Sequence, residues 1–330
     1  MKPVVWGVLG LSNHFVKRVL LPMQKSKMVE VYALASRSAD RAREAAERFG
    51  IPAWYGSYEK LLADSRVEAV YIPLPNHLHG EYIRLTAGAG KQILCEKPMA
   101  LSAAEAAESI ACAEAAGVRL MEAFMYRFHP QWVRARELLR TGEIGKLRFI
   151  HTVFTYNLTD PANIRSRLET GGGALRDIGC YAVSAARWLG EAEPSRVLSL
   201  NQRDEAQGTD ILSSAVLDFG NFRSLFTAGT RSFPAQRVDV YASGGSMTLH
   251  LPFNTYPDVP AVLTVRTSVG MRDISCGPVD QYALQFEAFS RALREGAPVP
   301  TPPEDAVRNQ AVLDALFRSE KTKLWEPVPR

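Results

Sequence analysis

The feature that most constrains this chain is the alternation, across its first third, of short, mostly apolar runs with amphipathic segments. Val4–Leu9 carries no polar side chain, as expected of a strand buried on both faces of a parallel sheet, and it runs straight into Gly10. Val29–Ala35 repeats the pattern and leads into Ser36, Arg37 and Ser38. Ala42, Ala45, Ala46 and Phe49 then recur at helical spacing until Gly50 stops the helix. Further strands are predicted at 67–72, 92–95 and 118–121, with helices around 78–87 and 101–116. Strand and helix in strict alternation predict an α/β domain with a doubly wound parallel sheet. Its ligand should lie beyond the C-terminal strand ends, where Gly10, Ser36, Pro73 and Glu96 all fall.

After Pro130 a helix bearing Val133, Leu138 and Leu139 ends at Gly142, and the pattern changes. Segments 149–156, 213–219, 222–228, 238–242, 247–251 and 261–267 read as strands, with turns at Gly220-Asn221 and Gly244-Gly245. Helices are expected at 179–189, 280–294 and 303–319. This predicts an α+β domain with a large, open, mostly antiparallel sheet. A length of 330 residues, 46% hydrophobic and 22% charged, suits two globular domains. The expected division is 1–123 for nucleotide binding and 124–330 for substrate and oligomer contacts, with the C-terminal helices packing back on the first domain and a cleft between the two.

A net charge of +4, with basic and acidic residues interleaved, argues against a nucleic-acid surface. No run is long and apolar enough for a membrane span, and Val4–Leu9 is too short for a secretory core. Cys95, Cys112, Cys180 and Cys276 share no CxxC spacing, so neither a metal site nor a disulfide framework is expected. They read as reduced thiols of a cytoplasmic protein.

Five segments carry candidate chemistry. In the first turn Gly10 stands where a dinucleotide fingerprint needs its first glycine, with Ser12 and Phe15 in place of the later ones. The segment Gly10, Leu11, Ser12, Asn13 and His14 is the expected pyrophosphate contact through a helix N-terminus; a plain glycine turn is the alternative. At the second strand end, where NAD-binding folds place an acidic residue for the ribose, this chain has Ser36 and Arg37, with Arg41 one helical turn on. Guanidinium groups suit a 2′-phosphate, so NADP is expected over NAD unless both arginines are merely solvated charges. In the third segment Pro73, Leu74, Asn76 and His79 lie where a strand breaks into a helix, with Asn76 a natural N-cap and His79 either a ligand contact or an ordinary helix residue. Glu96-Lys97-Pro98 follows the strand Gln92–Cys95, so Lys97 projects into the same crevice, able to donate to a substrate oxygen or shuttle a proton. Pro98 fixes the turn, a cis bond being one way. The fifth segment, 171–181, has three consecutive glycines entering a helix whose Asp177 and Tyr181 share a face. The glycines imply close approach of a ligand or the neighbouring domain, or else a simple loop. Tyr181 is a credible acid/base only with a lysine such as Lys97 nearby; otherwise it is core.

Together these segments resemble the glucose-fructose oxidoreductase, inositol dehydrogenase and MocA family across nearly the whole chain. The resemblance rests on GVLG at 7–10, ASRS at 35–38, PLPNHLH at 73–79 and CEKPMALS at 95–102. It continues through MEAFMYRFHP at 121–130, GEIG at 142–145, NIR at 163–165 and GGGALRDIGCY at 171–181. It implies a Rossmann domain followed by an open sheet whose outer face makes a homodimer or homotetramer. It maps the family's catalytic lysine onto Lys97 and its helix motif onto Asp177 and Tyr181. Arg127 and Arg165 match positions lining the cofactor and substrate cleft. Tyrosine at 181, where many members have histidine, is similar to the NADP-dependent D-xylose and trans-dihydrodiol dehydrogenases. The departures fall in the first turn, at Leu11 to Phe15.

The activity so implied is hydride transfer between NADP and a hydroxyl or carbonyl of a sugar, sugar derivative or cyclic diol, acting on CH–OH groups. Lys97, Arg165, Asp177 and Tyr181 would meet the substrate. Two rivals are a relative that retains its nucleotide and cleaves glycosides through transient oxidation, and a non-catalytic sensor, which would be expected to lack the lysine.

Overall fold

Six residues without a polar side chain make Val4–Leu9 buried along its whole length, and in a computed structural model, which describes residues 1–329, it is the central strand β1 of an all-parallel sheet. The other strands are β2 (Val29–Ala35), β3 (Ala53–Tyr55), β4 (Ala69–Ile72), β5 (Gln92–Cys95) and β6 (Leu120–Glu122), in the order β3-β2-β1-β4-β5-β6. The connecting helices are α1 (Leu20–Lys25), α2 (Ala39–Phe49), α3 (Tyr58–Leu62), α4 (His79–Gly88) and α5 (Ala103–Ala115). Ser38, Ser57 and Ser102 cap α2, α3 and α5 by accepting from the backbone N–H three residues on. Such caps stabilise a helix start by about 1 kcal/mol each. Strand order reverses between β1 and β4, the switch point at which doubly wound sheets open a crevice. β3, three partly exposed residues long, was not foreseen because it is too short to show a period.

The second part of the chain opens with α6 (Pro130–Arg140) and β7 (Leu147–Asn157). A π-helical turn, Leu175–Gly179, then runs into α7 (Cys180–Gly190). There follow β8 (Arg196–Arg203), β9 (Asp210–Asp218), β10 (Arg223–Gly229), β11 (Arg231–Ala242), β12 (Gly245–Leu249), β13 (Ala261–Thr267) and β14 (Gly270–Cys276). Helices α8 (Gln281–Glu295) and α9 (Glu304–Thr322) and the short β15 (Glu326–Pro327) close the chain. Nine strands form one mixed sheet, β14-β13-β12-β11-β7-β10-β9-β8-β15, antiparallel throughout except where β10 runs parallel to β7. β8, β14 and β15 were missed in the sequence: they lie at or beside the sheet edges and carry polar or charged residues in place of a clean apolar alternation.

By packing, the chain divides into two compact units, Met1–Met125 with Tyr282–Val307 and Tyr126–Gln281 with Arg308 to the C-terminus. Nearly all of α8 thus counts with the first unit. Its Phe286 meets the Trp6 ring edge-on at 5.0 Å, and its Ser290 accepts from the Trp6 indole N–H at 3.2 Å. Within the second unit α7 is buried almost end to end, with Tyr181 edge-on to Phe154 of β7 at 5.7 Å.

Candidate active site

Gly10 leaves β1 at φ +102°, a conformation that L side chains rarely adopt, and a Cβ there would press on Leu74 Cδ2 at 3.0 Å. The chain then turns into a helix whose start is held by Ser12: its Oγ accepts from Phe15 N–H at 3.1 Å and its carbonyl from Val16 N–H at 3.1 Å. The N–H groups of Leu11, Ser12 and Asn13 have no protein partner among the described residues, which fits an anion at this helix start. Phe15, in place of the third glycine, is accommodated by a widened, π-helical turn at Phe15–Val19. Its ring is fully buried and lies 5.9 Å from Tyr71. His14 Nε2 meets the Tyr282 hydroxyl of α8 at 3.0 Å, tying the turn to the C-terminal helix.

At the end of β2, Ser36 is buried and its Oγ accepts from Ser38 N–H at 3.2 Å. Arg37 and Arg41 are exposed, and neither forms an ion pair among the described residues; Arg41 Nη2 donates to Leu11 O at 3.4 Å. Both cations act on the phenol of Tyr58, whose pKa burial nevertheless raises. A Cβ on Gly10 would lie 3.7 Å from the Tyr58 hydroxyl, so this phenol joins the β1 turn to the two arginines. Sequence reasoning missed Tyr58, which opens α3 without a motif of its own.

The ends of β4 and β5 correct two expectations. Asn76 is not the N-cap of α4: it opens a 3₁₀ turn, Asn76–Leu78, with Pro75 in the preceding position. His79 is fully buried, with Nδ1 2.8 Å from Pro98 O and Nε2 2.8 Å from Leu74 O, so its ring clamps two loops together and has no surface left for a nucleotide. Burial pushes its pKa down to about 4; the two carbonyls oppose that shift and the Lys97 charge adds to it. The ring is therefore neutral at pH 7 and donates to one carbonyl. The Lys97-Pro98 bond is cis. Glu96 Oε1 accepts from the Tyr71 hydroxyl at 2.5 Å, and Oε2 accepts from Lys97 N–H at 3.3 Å.

In the second unit the loop and helix around Asp177 form a charged cluster. Asp177 is 8% exposed; its Oδ1 pairs with Arg165 Nε at 3.0 Å and its Oδ2 accepts from the Tyr156 hydroxyl at 2.6 Å. The Asp177 charge drives the Arg165 pKa up, and burial followed by the same charge drives the Tyr156 phenol up. Tyr181 lies within electrostatic reach of Arg165 and packs against Phe253 at 5.2 Å and Tyr126 at 5.9 Å. Arg127 is buried, with Nη2 donating to Ser184 Oγ at 2.6 Å and Nε to the Tyr126 hydroxyl at 3.4 Å. The three glycines have a different cause from the one expected. A Cβ on Gly172 would collide with the Arg165 carbonyl and one on Gly173 with the Asp210 carboxylate, so the close approach is made by this unit's own chain. Tyr156, on β7, was missed because nothing in β7 links it to a residue 21 positions away.

A parallel sheet with a glycine turn and an anion-receptive helix start at its switch point defines a dinucleotide-binding α/β protein. Residues 4–124 match the oxidoreductase family with an NAD-binding Rossmann fold, and residues 132–248 match the GFO/IDH/MocA C-terminal domain. The chain belongs to this family of NAD(P)-dependent oxidoreductases. It is 39% identical over 322 residues to D-xylose 1-dehydrogenase (NADP⁺) 2 of Haloferax volcanii, covering 97% of this chain and 98% of that one. It is 36% identical over 231 residues to mouse (Mus musculus) trans-1,2-dihydrobenzene-1,2-diol dehydrogenase, covering 69% and 68%. Among solved structures, a 3-ketoreductase from Actinomadura kijaniata in complex with NADP and TDP-benzene superposes with a TM-score of 0.90 at 30% identity, covering 96% of this chain and 98% of that one. No helix among the described residues is long and apolar enough to cross a membrane.

Proposed function

We propose that this chain is an NADP-dependent dehydrogenase or reductase that interconverts a hydroxyl and a carbonyl on a sugar, sugar derivative or cyclic diol. The observation that carries this reading is the Tyr156–Asp177–Arg165 cluster with Tyr181 beside it, an acid/base phenol set next to an ordered carboxylate and guanidinium. When bound, NADP supplies or takes up the hydride. The N–H groups of Leu11 to Asn13 hold the pyrophosphate, and Arg37 and Arg41 hold the 2′-phosphate in preference to a bare ribose hydroxyl. Pro73, Leu74, Asn76, Glu96 and Arg127 complete the cofactor contacts. His79 serves them indirectly by fixing Leu74 and Pro98.

Tyr181 takes the substrate hydroxyl proton during oxidation and returns it during reduction, and Lys97 is the proposed donor to a substrate oxygen. Asp177 and Arg165 present a fixed pair of acceptor and donor to the neighbouring substrate hydroxyls, and Tyr156 orients Asp177 by donating to its Oδ2. Residues 1–123 form the nucleotide-binding part, joined by 282–307, and the rest of 124–330 forms the substrate part. The outer face of the nine-stranded sheet exposes Phe149, Leu225 and Tyr241, the first and last stacked at 4.3 Å, and suits self-association into a dimer or tetramer in the cytoplasm.

The test is an absorbance screen at the reduced-nicotinamide band, with NADP⁺ and NAD⁺ against aldoses, ketoses, anhydrosugars and trans-diols. NADP⁺ reduction by an aldose or diol is expected. A wholly negative screen, or equal use of NAD⁺, would overturn the reading.

A further inference from the structure

Asp210 opens β9 and is 2% exposed. Its Oδ2 accepts from Leu175 N–H at 2.6 Å and from the Ser213 hydroxyl at 3.0 Å. Leu175 is the first residue of the π turn that carries Asp177 and continues into α7 with Tyr181. A carboxylate that accepts from the opening N–H of a helix is held by a charge-assisted hydrogen bond and by the helix dipole together. Burial pushes the Asp210 carboxyl up, and the Leu175 N–H and Ser213 hydroxyl pull it back.

The glycines explain how this carboxylate comes so close. Gly173 lies at φ +113°, and any Cβ there would overlap the Asp210 carboxylate. On its other side Gly173 N–H donates to Arg165 O at 2.9 Å, and Gly172 N–H donates to Arg167 O at 2.9 Å. The loop bearing Arg165 and the helix bearing Asp177 are thus joined at Gly172-Gly173, and Asp210 pins that joint to β9. The same loop and helix carry the Arg165–Asp177 pair, whose carboxylate also accepts from Tyr156.

We infer that Asp210 is a positioning residue for this site: by capping the π turn it sets where Asp177 and Tyr181 stand, acting through Leu175 and Gly173. The inference rests on the roles proposed above for Asp177 and Tyr181. Misplacing reacting groups by about 1 Å can cost on the order of 100-fold in rate, so a cap outside the chemistry can still govern kcat.

The test compares Asp210→Ala and Asp210→Asn in the full chain, by hydrogen exchange across 171–181, by NADP affinity from protein fluorescence, and by turnover with D-xylose and NADP⁺. Asp210→Ala is expected to exchange at least about 10-fold faster in this segment and to lose about 30-fold in kcat, with NADP affinity within about 2-fold of the parent. Asp210→Asn should recover the protection and most of kcat, because its amide oxygen still accepts from Leu175. A merely structural role would lower overall stability without this split between kcat and NADP affinity and without the rescue. If Asp210→Ala does not fold, Asp210→Asn combined with Ser213→Ala, which removes the second anchor, should show an intermediate rise in exchange. Native-like exchange at 171–181 in the variant measured, or an Asn variant as open to exchange as the Ala one, overturns the inference. A parent chain inert toward D-xylose counts against the proposed function, and the exchange result still decides the role of Asp210.

Discussion

The turn that carries Lys97 and the helix that carries Asp177 and Tyr181 are both polar segments anchored in buried surroundings, yet they are anchored by opposite means. Around Lys97 a buried histidine lies between two main-chain carbonyls and donates to one of them, and a phenol holds Glu96. Around Asp177 full charges meet: Arg165 pairs with the carboxylate, and a second buried carboxylate, Asp210, caps the helix start. The first arrangement depends on a ring staying unprotonated, the second on ion pairs staying ionised. The difference teaches that the lysine is set by main-chain geometry, whereas the tyrosine is set by a network that breaks when one member is removed.

The largest expected effect tests whether the two segments serve one reaction. Lys97→Met and Tyr181→Phe should each lower kcat by about 10² to 10⁴, the usual contribution of a positioned acid or base, while NADP affinity stays within about 3-fold. Steady-state rates and fluorescence titration check this, and retained turnover in both variants would dissolve the pairing of the segments.

Acid should separate buried neutral rings from buried ion pairs. His79 in the first unit and His129 in the second are both pushed by burial down to about 4. Between an unfolded value near ~6.5 and that folded value, the unfolded chain binds the proton and the folded chain does not, so stability falls as pH falls through this window. Each ring should cost about 2 kcal/mol between pH 7 and pH 5, and the loss should be complete near pH 4. Urea denaturation of the parent and of His79→Gln at both pH values measures it. An unchanged pH dependence in the variant would mean that the ring is already protonated and bonded to both carbonyls.

Arg37→Ala sharpens the nucleotide side alone. A lost charged hydrogen bond of about 1.5–3 kcal/mol predicts about 10- to 100-fold weaker NADP binding, with NAD binding nearly unchanged. Isothermal titration with both nucleotides checks it, and equal losses for the two would assign Arg37 a general electrostatic role.

The smallest effects come from a matched pair. Tyr71→Phe and Tyr156→Phe each remove a phenol that donates to a carboxylate, Glu96 in one unit and Asp177 in the other. Each should cost about 1–2 kcal/mol of stability. The Tyr156 variant should also lower kcat, because Asp177 loses the donor that orients it, while the Tyr71 variant keeps its kcat. A kcat that falls in the Tyr71 variant and holds in the Tyr156 variant would reverse the assignment of roles.

Much of the first unit was legible because its information is local. An apolar run long enough to be a strand and a glycine at a strand end each state their structure within a few residues. The arginine at the end of β2 and the Glu-Lys-Pro segment at the end of β5 could be placed for the same reason. His79 was misjudged because its two partners, Leu74 and Pro98, are main-chain oxygens that leave no trace in residue type. In the second unit the triple glycine was visible but its cause was not. The atoms that demand it belong to Arg165 and Asp210, and the Leu175 to Asp210 hydrogen bond spans 35 residues.

By itself the sequence determined the strand–helix alternation, the glycine turn at Gly10 and the presence of Lys97, Asp177 and Tyr181 at element ends. Hydrophobic period and backbone preference are short-range properties that a sequence displays directly. The tertiary structure alone decided that Tyr156 completes the Asp177 pair, that Tyr71 holds Glu96, that Tyr58 stands over Gly10 beside the arginines, and that Asp210 caps the helical turn bearing Asp177. Each of those choices depends on which distant strands and loops become neighbours. That is fixed by burial and packing of the whole unit, and no local pattern encodes it.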